Sequence, residues 1–292
     1  MSKATLVKTR LSIKSNNAGS VKTDLSTTMK EFCVIGNPIE HSISPNMHNA
    51  AYKAFGIKAV YEKMLLSDEK LLRESFFEAN LDGANITVPY KETAFNICDE
   101  IKGIATQIEA VNTIVKRDNK LIGFNTDAAG FFKAIKEFGK IRNALILGAG
   151  GAAKAIAFIL KQNGIEPTIL NRSIERLVFF EQKGFASISW DGFVPKKYDI
   201  VINTTSAGLK DDTLPAPVNI LNQALRNARF GFDVIYNKKT PFLKLCAEFG
   251  LKYKDGLDML LYQAVFAFNI FFDKTYDETK IAQAMKKSLF NQ

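Results

Sequence analysis

The chain has 292 residues, enough for one large domain or two ordinary ones, and its 47% hydrophobic and 24% charged residues are typical of a globular protein. No apolar run reaches the ~20 residues of a membrane-spanning helix, and the basic start lacks the apolar segment of a secretory signal. The three cysteines and two histidines have no metal-ligand spacing. This argues against a zinc site and favours a reducing compartment, the cytoplasm.

The net charge of +9 lies mostly at the start of the chain. Residues 1–30 contain six basic residues against Asp24 alone, which gives them +5 and leaves +4 for the rest. This segment is rich in Ser, Thr, Asn and Lys and has little to bury. We expect residues 1–28 to be a disordered tail or a cloning remnant, with Met29 as a candidate natural start. The charge is therefore weak support for a nucleic-acid partner.

Apolar β-rich runs alternate with helical patterns from Glu31 onward. The first series predicts the strands Glu31–Gly36, Val60–Leu65 and Gly83–Val88, the helices Pro45–Phe55, Asp68–Ala79, Lys91–Cys98, Glu100–Ile108 and Phe131–Phe138, and a hairpin of Val111–Lys116 with Lys120–Gly123. The second predicts the strands Asn143–Leu147, Pro167–Leu170, Asp199–Asn203 and Phe230–Val234, and the helices Ala152–Gln162, Ser173–Lys183, Pro241–Phe249, Leu257–Phe272 and Asp277–Phe290. The alternation predicts an α/β fold of two domains, each an open, mostly parallel twisted sheet with helices on both faces.

A glycine-rich turn connects the strand Asn143–Leu147 to the next helix, and its sequence is Gly148-Ala149-Gly150-Gly151-Ala152-Ala153. It matches G-x-G-x-x-G/A in its required context of strand, turn and helix. Gly148 permits the tight turn, Gly150 lets the backbone approach a pyrophosphate, and Ala153 keeps the helix near the strand. The helix start offers unpaired N–H groups to phosphates. This predicts that the second domain is a Rossmann dinucleotide-binding domain; the alternative is a glycine-rich turn without a ligand.

The following strand indicates which dinucleotide binds. NAD sites usually place a carboxylate at the end of this strand, where this chain has Asn171-Arg172-Ser173, with Arg176 one turn later and only Glu175 nearby. Two guanidinium groups suit a 2′-phosphate, so NADP(H) is the predicted cofactor. Arg176 taken alone could equally lie on a solvated helix face.

Polar clusters mark the first half of the chain. Ser42 and Ser44 alternate in a predicted extended segment, so both hydroxyls can point the same way at a helix start, where an anion is favoured. Ser44 could instead cap that helix. Asn85 and Thr87 alternate at a strand end and Lys91 follows, at the sheet edge where α/β proteins bind ligands. Asn112 and Asp127 lie in two further polar segments, and Asp127 could simply cap a helix.

Together these segments resemble shikimate dehydrogenase, in order from about Glu31 to the C-terminus with small gaps. The matching motifs are Gly36-Asn37-Pro38, Ser42-x-Ser44-Pro45, Asn85-Ile86-Thr87-Val88-Pro89-x-Lys91, Ala110-Val111-Asn112-Thr113, Gly123-x-Asn125-Thr126-Asp127, Gly148-Ala149-Gly150-Gly151-Ala152, Asn171-Arg172-Ser173, Asn203-Thr204-Thr205-Ser206-Ala207-Gly208, Asp233-Val234-Ile235-Tyr236 and Gly256-Leu257-x-Met259-Leu260-x-x-Gln263. Residues 1–28 match nothing in the family.

The resemblance implies a two-domain enzyme that reversibly reduces 3-dehydroshikimate to shikimate with NADPH, in chorismate and aromatic amino-acid biosynthesis. Residues 29–127 plus 256–292 would bind the substrate, and 128–255 would bind NADP(H). Ser42, Ser44 and Tyr236 would hold the substrate carboxylate, and Asn85, Thr87, Asn112, Asp127 and Gln263 its hydroxyls. Gly148, Ala149, Gly150, Gly151 and Ala152 would bind the pyrophosphate, Asn171, Arg172, Ser173 and Arg176 the 2′-phosphate, and Val234 and Gly256 would lie by the nicotinamide. Lys91 and Asp127 would form the catalytic pair.

The chemistry of these residues is compatible with that activity. A polyhydroxylated ring needs neutral hydrogen-bond partners, and ketone reduction needs a hydride donor and a group that stabilises charge growing on the carbonyl oxygen. Lys91 beside a carboxylate can donate a hydrogen bond or a proton there; which of Lys91 and Asp127 carries the proton stays open.

The sequence disfavours three rival functions. A quinate/shikimate dehydrogenase using NAD is disfavoured by Asn171-Arg172-Ser173, and a cofactor-sensing regulator without catalysis is disfavoured by the presence of Lys91 and Asp127. Nucleic-acid binding is disfavoured by the position of the excess charge. We expect no metal, no nucleic-acid or membrane partner, and a monomer or a homodimer.

Overall fold

The computed structural model describes residues 5–7, 28–273 and 275–290. The chain forms two compact units, which are described one at a time. The first contains the described residues of 1–102, 111–124 and 267–292, and the second contains 103–110 and 125–266. This division differs from the predicted domain bounds, because residues 103–110, 125–127 and 256–266 belong to the second unit.

The first unit is built on a seven-stranded sheet. Its strands are β1 (Thr5–Val7), β2 (Lys30–Gly36), β3 (Ala59–Leu65), β4 (Gly83–Ile86), β5 (Glu100–Ile101), β6 (Thr113–Arg117) and β7 (Lys120–Phe124), in the spatial order β1-β3-β2-β4-β6-β7-β5. Its helices are α1 (Ser44–Ala54), α2 (Leu72–Glu78), α3 (Lys91–Ile97) and α11 (Glu278–Phe290).

Parallel and antiparallel pairs both occur in this first sheet. β2 pairs in parallel with β3 and β4, while the hairpin of β6 and β7 lies antiparallel to β4. Asp118 and Asn119, both at positive φ, make the hairpin turn. The predicted hairpin is confirmed, and it makes the sheet mixed because a short turn joins only antiparallel neighbours.

Residues 1–28 were expected to be a disordered tail or a cloning remnant, but within them Thr5–Val7 forms a strand that pairs antiparallel with Lys63–Leu65 of β3. This short β-prone segment satisfies backbone groups at the open side of β3; residues 1–4 and 8–27 lie outside the described part of the chain. The single helix expected at Glu100–Ile108 is β5 followed by a short helix, because Gly103 turns the chain at a φ of +62°.

The second unit has a six-stranded sheet in which every pair is parallel. Its strands are β8 (Asn143–Leu147), β9 (Glu166–Asn171), β10 (Ala186–Ser189), β11 (Ile200–Asn203), β12 (Phe230–Asp233) and β13 (Lys252–Lys254), in the order β10-β9-β8-β11-β12-β13. Its helices are α4 (Ala105–Ile108), α5 (Asp127–Ile135), α6 (Gly151–Gln162), α7 (Val178–Gln182), α8 (Val218–Leu225), α9 (Pro241–Glu248) and most of α10 (Leu257–Phe272).

Helices cover both faces of this second sheet. Ile146 of β8 packs with Phe131 of α5 in one buried cluster, while Leu145 and Leu147 pack with Phe242 of α9 in another. Alternate residues of a strand point to opposite faces, so a strand covered on both sides is apolar on both, as β8 is from Ala144 to Leu147. The predicted α/β fold of two sheets with helices on both faces is confirmed. Within the described ranges, no helix is both long and apolar enough to span a membrane.

Candidate active site

The glycine turn after β8 has the geometry that its sequence predicts. Gly148 has a φ of +105°, and a Cβ there would lie 2.8 Å from the side chains of Thr204 and Thr205, so only glycine fits. A Cβ built on Gly150 would meet nothing within 4 Å, which leaves open space directly before the N-terminus of α6. Ala153, in the first turn of α6, is fully buried. The predicted strand, turn and helix are confirmed; the phosphate contact stays a prediction.

A cavity of about 570 Å³ lies at the carboxyl end of β9. It is lined by all four residues predicted for the 2′-phosphate: Asn171, Arg172, Ser173 and Arg176. Both arginine side chains are exposed, and the amide of Asn171 donates to the carbonyl of Ser173 at 2.9 Å, which fixes this turn. The structure therefore gathers two guanidinium groups around one concave space, as a phosphate site requires.

Two other residues of this cavity were missed by sequence reasoning. Trp190 lies under Arg172, with 5.9 Å between the guanidinium carbon and the centre of the ring. Asp211 accepts hydrogen bonds from the hydroxyl (2.6 Å) and the backbone N–H (3.1 Å) of Thr213, which lower the pKa of this carboxyl. Trp190 is the only tryptophan of the chain, but no motif marks its position.

A buried carboxylate connects the loops that follow β11 and β12. Asp233 accepts from the hydroxyl of Thr240 at 2.6 Å, from the amide of Asn203 at 3.1 Å and from the backbone of Ile235 at 3.0 Å. Asn203 in turn accepts from the backbone and hydroxyl of Thr205. Burial raises the pKa of Asp233, while the three donors favour its charged form. This network fixes the conformation of the segment from Val234 to Thr240.

Val234 and Gly256, both predicted near the nicotinamide, are in contact. A Cβ on Gly256 would lie 2.1 Å from the carbonyl oxygen of Val234, and the Gly256 N–H donates to Ile235 at 3.0 Å. The two backbone segments approach so closely that position 256 tolerates only glycine. Tyr236 follows in the same segment; it is half-buried, and burial raises the pKa of its phenol.

Asp127 is the first residue of α5 and is only 7% exposed. It lies inside the helix and not at the N-cap position, which Thr126 occupies, and the Asn125 side chain accepts from the backbone of Ala128 (3.2 Å). The neighbouring Thr126 hydroxyl donates to the Gln263 amide oxygen at 3.5 Å. α5 and α10 approach closely at Gly130, where a Cβ would lie 2.8 Å from the Gln263 backbone nitrogen. The structure thus places Gln263 beside the start of the helix that carries Asp127.

In the first unit, Thr87 and Lys91 follow β4 on either side of one turn. A Cβ on Gly36 would lie 2.4 Å from the Thr87 methyl, and the Asn37 N–H donates to Val88 at 3.1 Å, so the loops after β2 and β4 are packed together. Lys91 is half-buried at the start of α3. Its carbonyl accepts from Val111 at 2.9 Å, which brings it next to the segment that carries Asn112.

Ser42 and Ser44 lie near the start of α1, but not in the predicted extended segment. Ile43 between them has φ/ψ of −97°/1°, so the expectation of an extended backbone is wrong there. The Ser44 N–H donates to the Ser42 hydroxyl oxygen at 3.4 Å, a local turn that competes with an extended chain. Ser44 makes no capping hydrogen bond; it is buried as the first residue of the helix.

Asn85 is buried, and its hydrogen bonds all lie within the protein. Its amide oxygen accepts from the Tyr61 phenol at 2.7 Å, and its nitrogen donates to Thr113 Oγ1 (3.0 Å) and to the Asn112 carbonyl (3.2 Å). Thr113 Oγ1 donates to the Asn112 amide oxygen at 3.1 Å. Tyr61 and Thr113 were missed, because nothing local in sequence indicates partners on other strands.

The predicted site residues are divided between the units. Ser42, Ser44, Asn85, Thr87, Lys91 and Asn112 belong to the first unit, whereas Asp127, Tyr236, Gln263 and all the predicted cofactor residues belong to the second. The pairing of Lys91 with Asp127 stays a prediction. Among the residues that the structure describes, no group of three or more His, Cys, Asp or Glu side chains could hold a metal ion.

The comparison with known proteins agrees with these features. The family of the shikimate dehydrogenase substrate binding domain matches residues 34–114. A curated shikimate dehydrogenase (NADP(+)) of Helicobacter hepaticus is 46% identical over 263 residues, which is 89% of this chain and 98% of that protein.

Solved structures agree as well. The shikimate 5-dehydrogenase of Thermus thermophilus, in complex with NADP(H) and shikimate, superposes with a TM-score of 0.78 at 32% identity, over 89% of this chain and all of that one. The shikimate dehydrogenase of Aquifex aeolicus gives 0.81 at 32% identity, over 92% of this chain and all of that one. With identity of this degree over nearly the full length of its relatives, the chain belongs to the shikimate dehydrogenase family.

Proposed function

We propose that this protein catalyses the reversible NADPH-dependent reduction of 3-dehydroshikimate to shikimate, a step of chorismate and aromatic amino-acid biosynthesis. The observation that carries the proposal is the 46% identity over 98% of a curated shikimate dehydrogenase (NADP(+)). The two arginines in the cavity after β9 support the choice of NADP, because a 2′-phosphate needs charged donors there.

The cofactor residues present in the second unit fit NADP(H). The open space over Gly150, before the N-terminus of α6, would accept the pyrophosphate, with Gly148, Ala149, Gly151 and Ala152 forming the turn around it. Asn171, Arg172, Ser173 and Arg176 would surround the 2′-phosphate, and the contact of Val234 with Gly256 would form a wall for the nicotinamide. The bound cofactor supplies or accepts the hydride.

The substrate residues supply one anion site and several hydrogen-bond partners for hydroxyl groups. Ser42 and Ser44, at the N-terminus of α1, would hold the carboxylate together with Tyr236, whose phenol stays protonated because its pKa is raised. Thr87, Asn112, Asp127 and Gln263 would hold the ring hydroxyls. Asn85, predicted as a further partner, has both its N–H donors engaged within the protein.

Lys91 and Asp127 are the proposed catalytic pair. The Lys91 ammonium would donate to the oxygen of the reacting carbonyl as negative charge grows there, and Asp127 would orient the ammonium and accept from a substrate hydroxyl. Lys91 is restricted at the start of α3 and Asp127 is almost fully buried at the start of α5, so neither side chain has the freedom of an exposed one.

We place the protein in the cytoplasm and propose that it works without nucleic acid, membrane or metal, as a monomer or a homodimer. Its three cysteines are all unpaired thiols, which fits a reducing compartment.

A spectrophotometric assay at the absorbance band of the reduced nicotinamide tests the function. The purified protein is incubated with shikimate or quinate, each combined with NADP or NAD. We expect shikimate with NADP to react fastest. No turnover with any of the four combinations would contradict the proposed activity, and faster turnover of quinate with NAD would support the rival function.

A further inference from the structure

Four buried side chains of the first unit form one chain of hydrogen bonds. The Tyr61 phenol donates to the Asn85 amide oxygen, the Asn85 nitrogen donates to Thr113 Oγ1, and Thr113 Oγ1 donates to the Asn112 amide oxygen. The distances are 2.7, 3.0 and 3.1 Å, and none of the four residues is more than 6% exposed. The chain of hydrogen bonds crosses from β3 through β4 to β6.

The direction of these hydrogen bonds is fixed by a backbone carbonyl. The Asn85 nitrogen also lies 3.2 Å from the Asn112 main-chain oxygen, which can only accept. Turning the Asn85 amide over would place two acceptors against each other, so its nitrogen faces Asn112 and Thr113 and its oxygen faces Tyr61. Tyr61 must then be a donor, and the Thr113 hydroxyl, which accepts from the Asn85 nitrogen, donates to the Asn112 amide oxygen.

Tyr61 itself is firmly held. Its ring stacks on His48 with 4.3 Å between centroids and 3° between planes, and its backbone exchanges two hydrogen bonds of 2.9 Å with the Asn49 side chain. Burial raises the pKa of the phenol well above its usual value, so it stays a donor at all physiological pH values. The start of the hydrogen-bond chain is therefore fixed in both position and protonation.

We propose that Asn85 is a positioning residue and not a substrate contact, and that Tyr61, Asn85 and Thr113 together orient the Asn112 amide. With its oxygen held by Thr113, Asn112 presents its nitrogen, a donor, to an oxygen of the substrate ring. The inference rests on the proposed function, because that function makes Asn112 a substrate contact. The Asn112 nitrogen would then recognise one ring oxygen as a hydrogen-bond acceptor. We call the hydrogen-bonded series of Tyr61, Asn85 and Thr113, which begins on another strand, the relay that sets this choice.

Four variants test the relay. Tyr61→Phe and Thr113→Val each remove one hydroxyl and keep the shape of the side chain. Thr113→Ser restores the hydroxyl. Tyr52→Phe is the matched control, because Tyr52 is equally buried in the same aromatic cluster and its hydroxyl has no hydrogen-bond partner among the described residues. Steady-state rates with shikimate and NADP are measured for each.

We expect Tyr61→Phe and Thr113→Val to raise the KM for shikimate about 5- to 10-fold, the effect of one misdirected buried hydrogen bond. The kcat should change less than about twofold and the KM for NADP should stay at the parental value, since a substrate contact held equally in ground and transition states affects KM. Thr113→Ser and Tyr52→Phe should keep the parental KM.

Folded Tyr61→Phe and Thr113→Val proteins with a parental KM for shikimate would overturn the relay, as would a Thr113→Ser variant as impaired as Thr113→Val. If Thr113→Val does not fold, Tyr61→Phe decides alone. A parental protein without shikimate turnover would instead count against the proposed function. The relay is then read from the side-chain amide NMR signal of Asn112, which should shift in Thr113→Val and stay unchanged in Tyr52→Phe.

Discussion

His48 is a fully buried histidine whose two ring nitrogens have no hydrogen-bond partner among the described residues. Burial lowers its pKa from 6.5 to about 3. Between these pH values the unfolded chain binds a proton at this position and the folded chain does not, so the free energy of unfolding decreases as the pH falls through this range. His48 makes the first unit sensitive to acid.

Replacing His48 with Phe should remove this part of the acid sensitivity. Between pH 7.5 and pH 4.5 we expect the free energy of unfolding to fall by about 3 kcal/mol less in His48→Phe than in the parent, because one site no longer takes up a proton on unfolding. Urea unfolding at the two pH values measures this difference. An equal decrease in both proteins would show that His48 is not the source.

Lys91 is the residue on which proposed catalysis depends most. Lys91→Met keeps the aliphatic stem and removes the ammonium, so turnover should fall by ~10²–10⁴, the usual contribution of a general acid or an electrostatic donor. NADP affinity and melting temperature should stay close to parental values. Lys58→Met, at an exposed lysine of the same unit, is the matched control. A Lys91→Met protein that keeps more than about a tenth of parental turnover would exclude Lys91 from the mechanism.

Residues of this kind could be identified from sequence only where a local motif carries them. Lys91 and Gly148 lie in ordered motifs with a chemical reason for each position, and the structure places them at a helix start and in a tight turn, as expected. Tyr61 and Thr113 could not be found, because they act through partners that are distant along the chain. The extended segment at Ser42 and Ser44 was wrong because a local side-chain turn replaced it.

At the scale of elements, the turn before α6 contains two glycines with different requirements. Gly148 needs its positive φ and its clearance from Thr204, whereas Gly150 has open space around it. The first glycine is thus required by the fold, and the second is required only if a ligand approaches the backbone.

Alanine substitutions separate these two roles. Gly150→Ala should leave the melting temperature unchanged and weaken NADP binding by about tenfold or more, because a Cβ would occupy the space proposed for the pyrophosphate. Gly148→Ala should destabilise the fold by about 1–3 kcal/mol through backbone strain alone. Calorimetry gives both quantities. A Gly150→Ala protein with parental NADP affinity would contradict the proposed position of the pyrophosphate.

The arginines after β9 determine the choice between cofactors. Arg172→Ala should weaken the affinity for NADP by about 10- to 100-fold and change the affinity for NAD little. The reason is that a charge-assisted hydrogen bond to phosphate contributes on the order of 1.5–3 kcal/mol. Arg226→Ala, at an exposed arginine of the same unit, is the control. Equal losses for both cofactors would show that Arg172 does not contact the 2′-phosphate.

Long apolar strands and amphipathic helices were predicted well because their periodicity is local. β8 and α10 have the predicted bounds, α6 begins one residue earlier than predicted, and β9 is one residue longer at each end. β5, β10 and β13 were missed; each has two to four residues and exists because a neighbouring strand offers backbone partners. None of the three contains a continuous apolar run of the kind that marks β11, which is equally short, so the sequence pattern does not reveal them.

At the scale of the whole molecule, each compact unit has its own sheet, and the chain passes between the units four times. A division read along the sequence therefore gives approximate bounds only. Residues 103–110, for example, lie in the second unit between two segments of the first. Tertiary packing decides where the chain crosses from one unit to the other, and these crossings are not marked by segments with the composition of a linker.

The pairing of Thr5–Val7 with β3 predicts a measurable effect of the N-terminal segment. A chain that starts at Met29 loses three antiparallel residue pairs, so we expect its melting temperature to fall by about 2–4 °C, the effect of about 1 kcal/mol in a unit of this size. Backbone amides of Lys63–Leu65 should exchange hydrogen faster. Unchanged exchange there would show that this pairing does not protect β3 in solution.

The position of Trp190 has a practical consequence. Since it is the only indole of the protein and lines the cavity with Arg172 and Arg176, its fluorescence reports on that cavity and on no other place. Reduced nicotinamide cofactors absorb light in the range where indole emits, so a bound molecule would quench the emission by energy transfer. Titration curves for the phosphorylated and unphosphorylated dinucleotides could then be recorded without turnover, including in variants that have lost catalysis. The protein carries its own optical probe of cofactor choice.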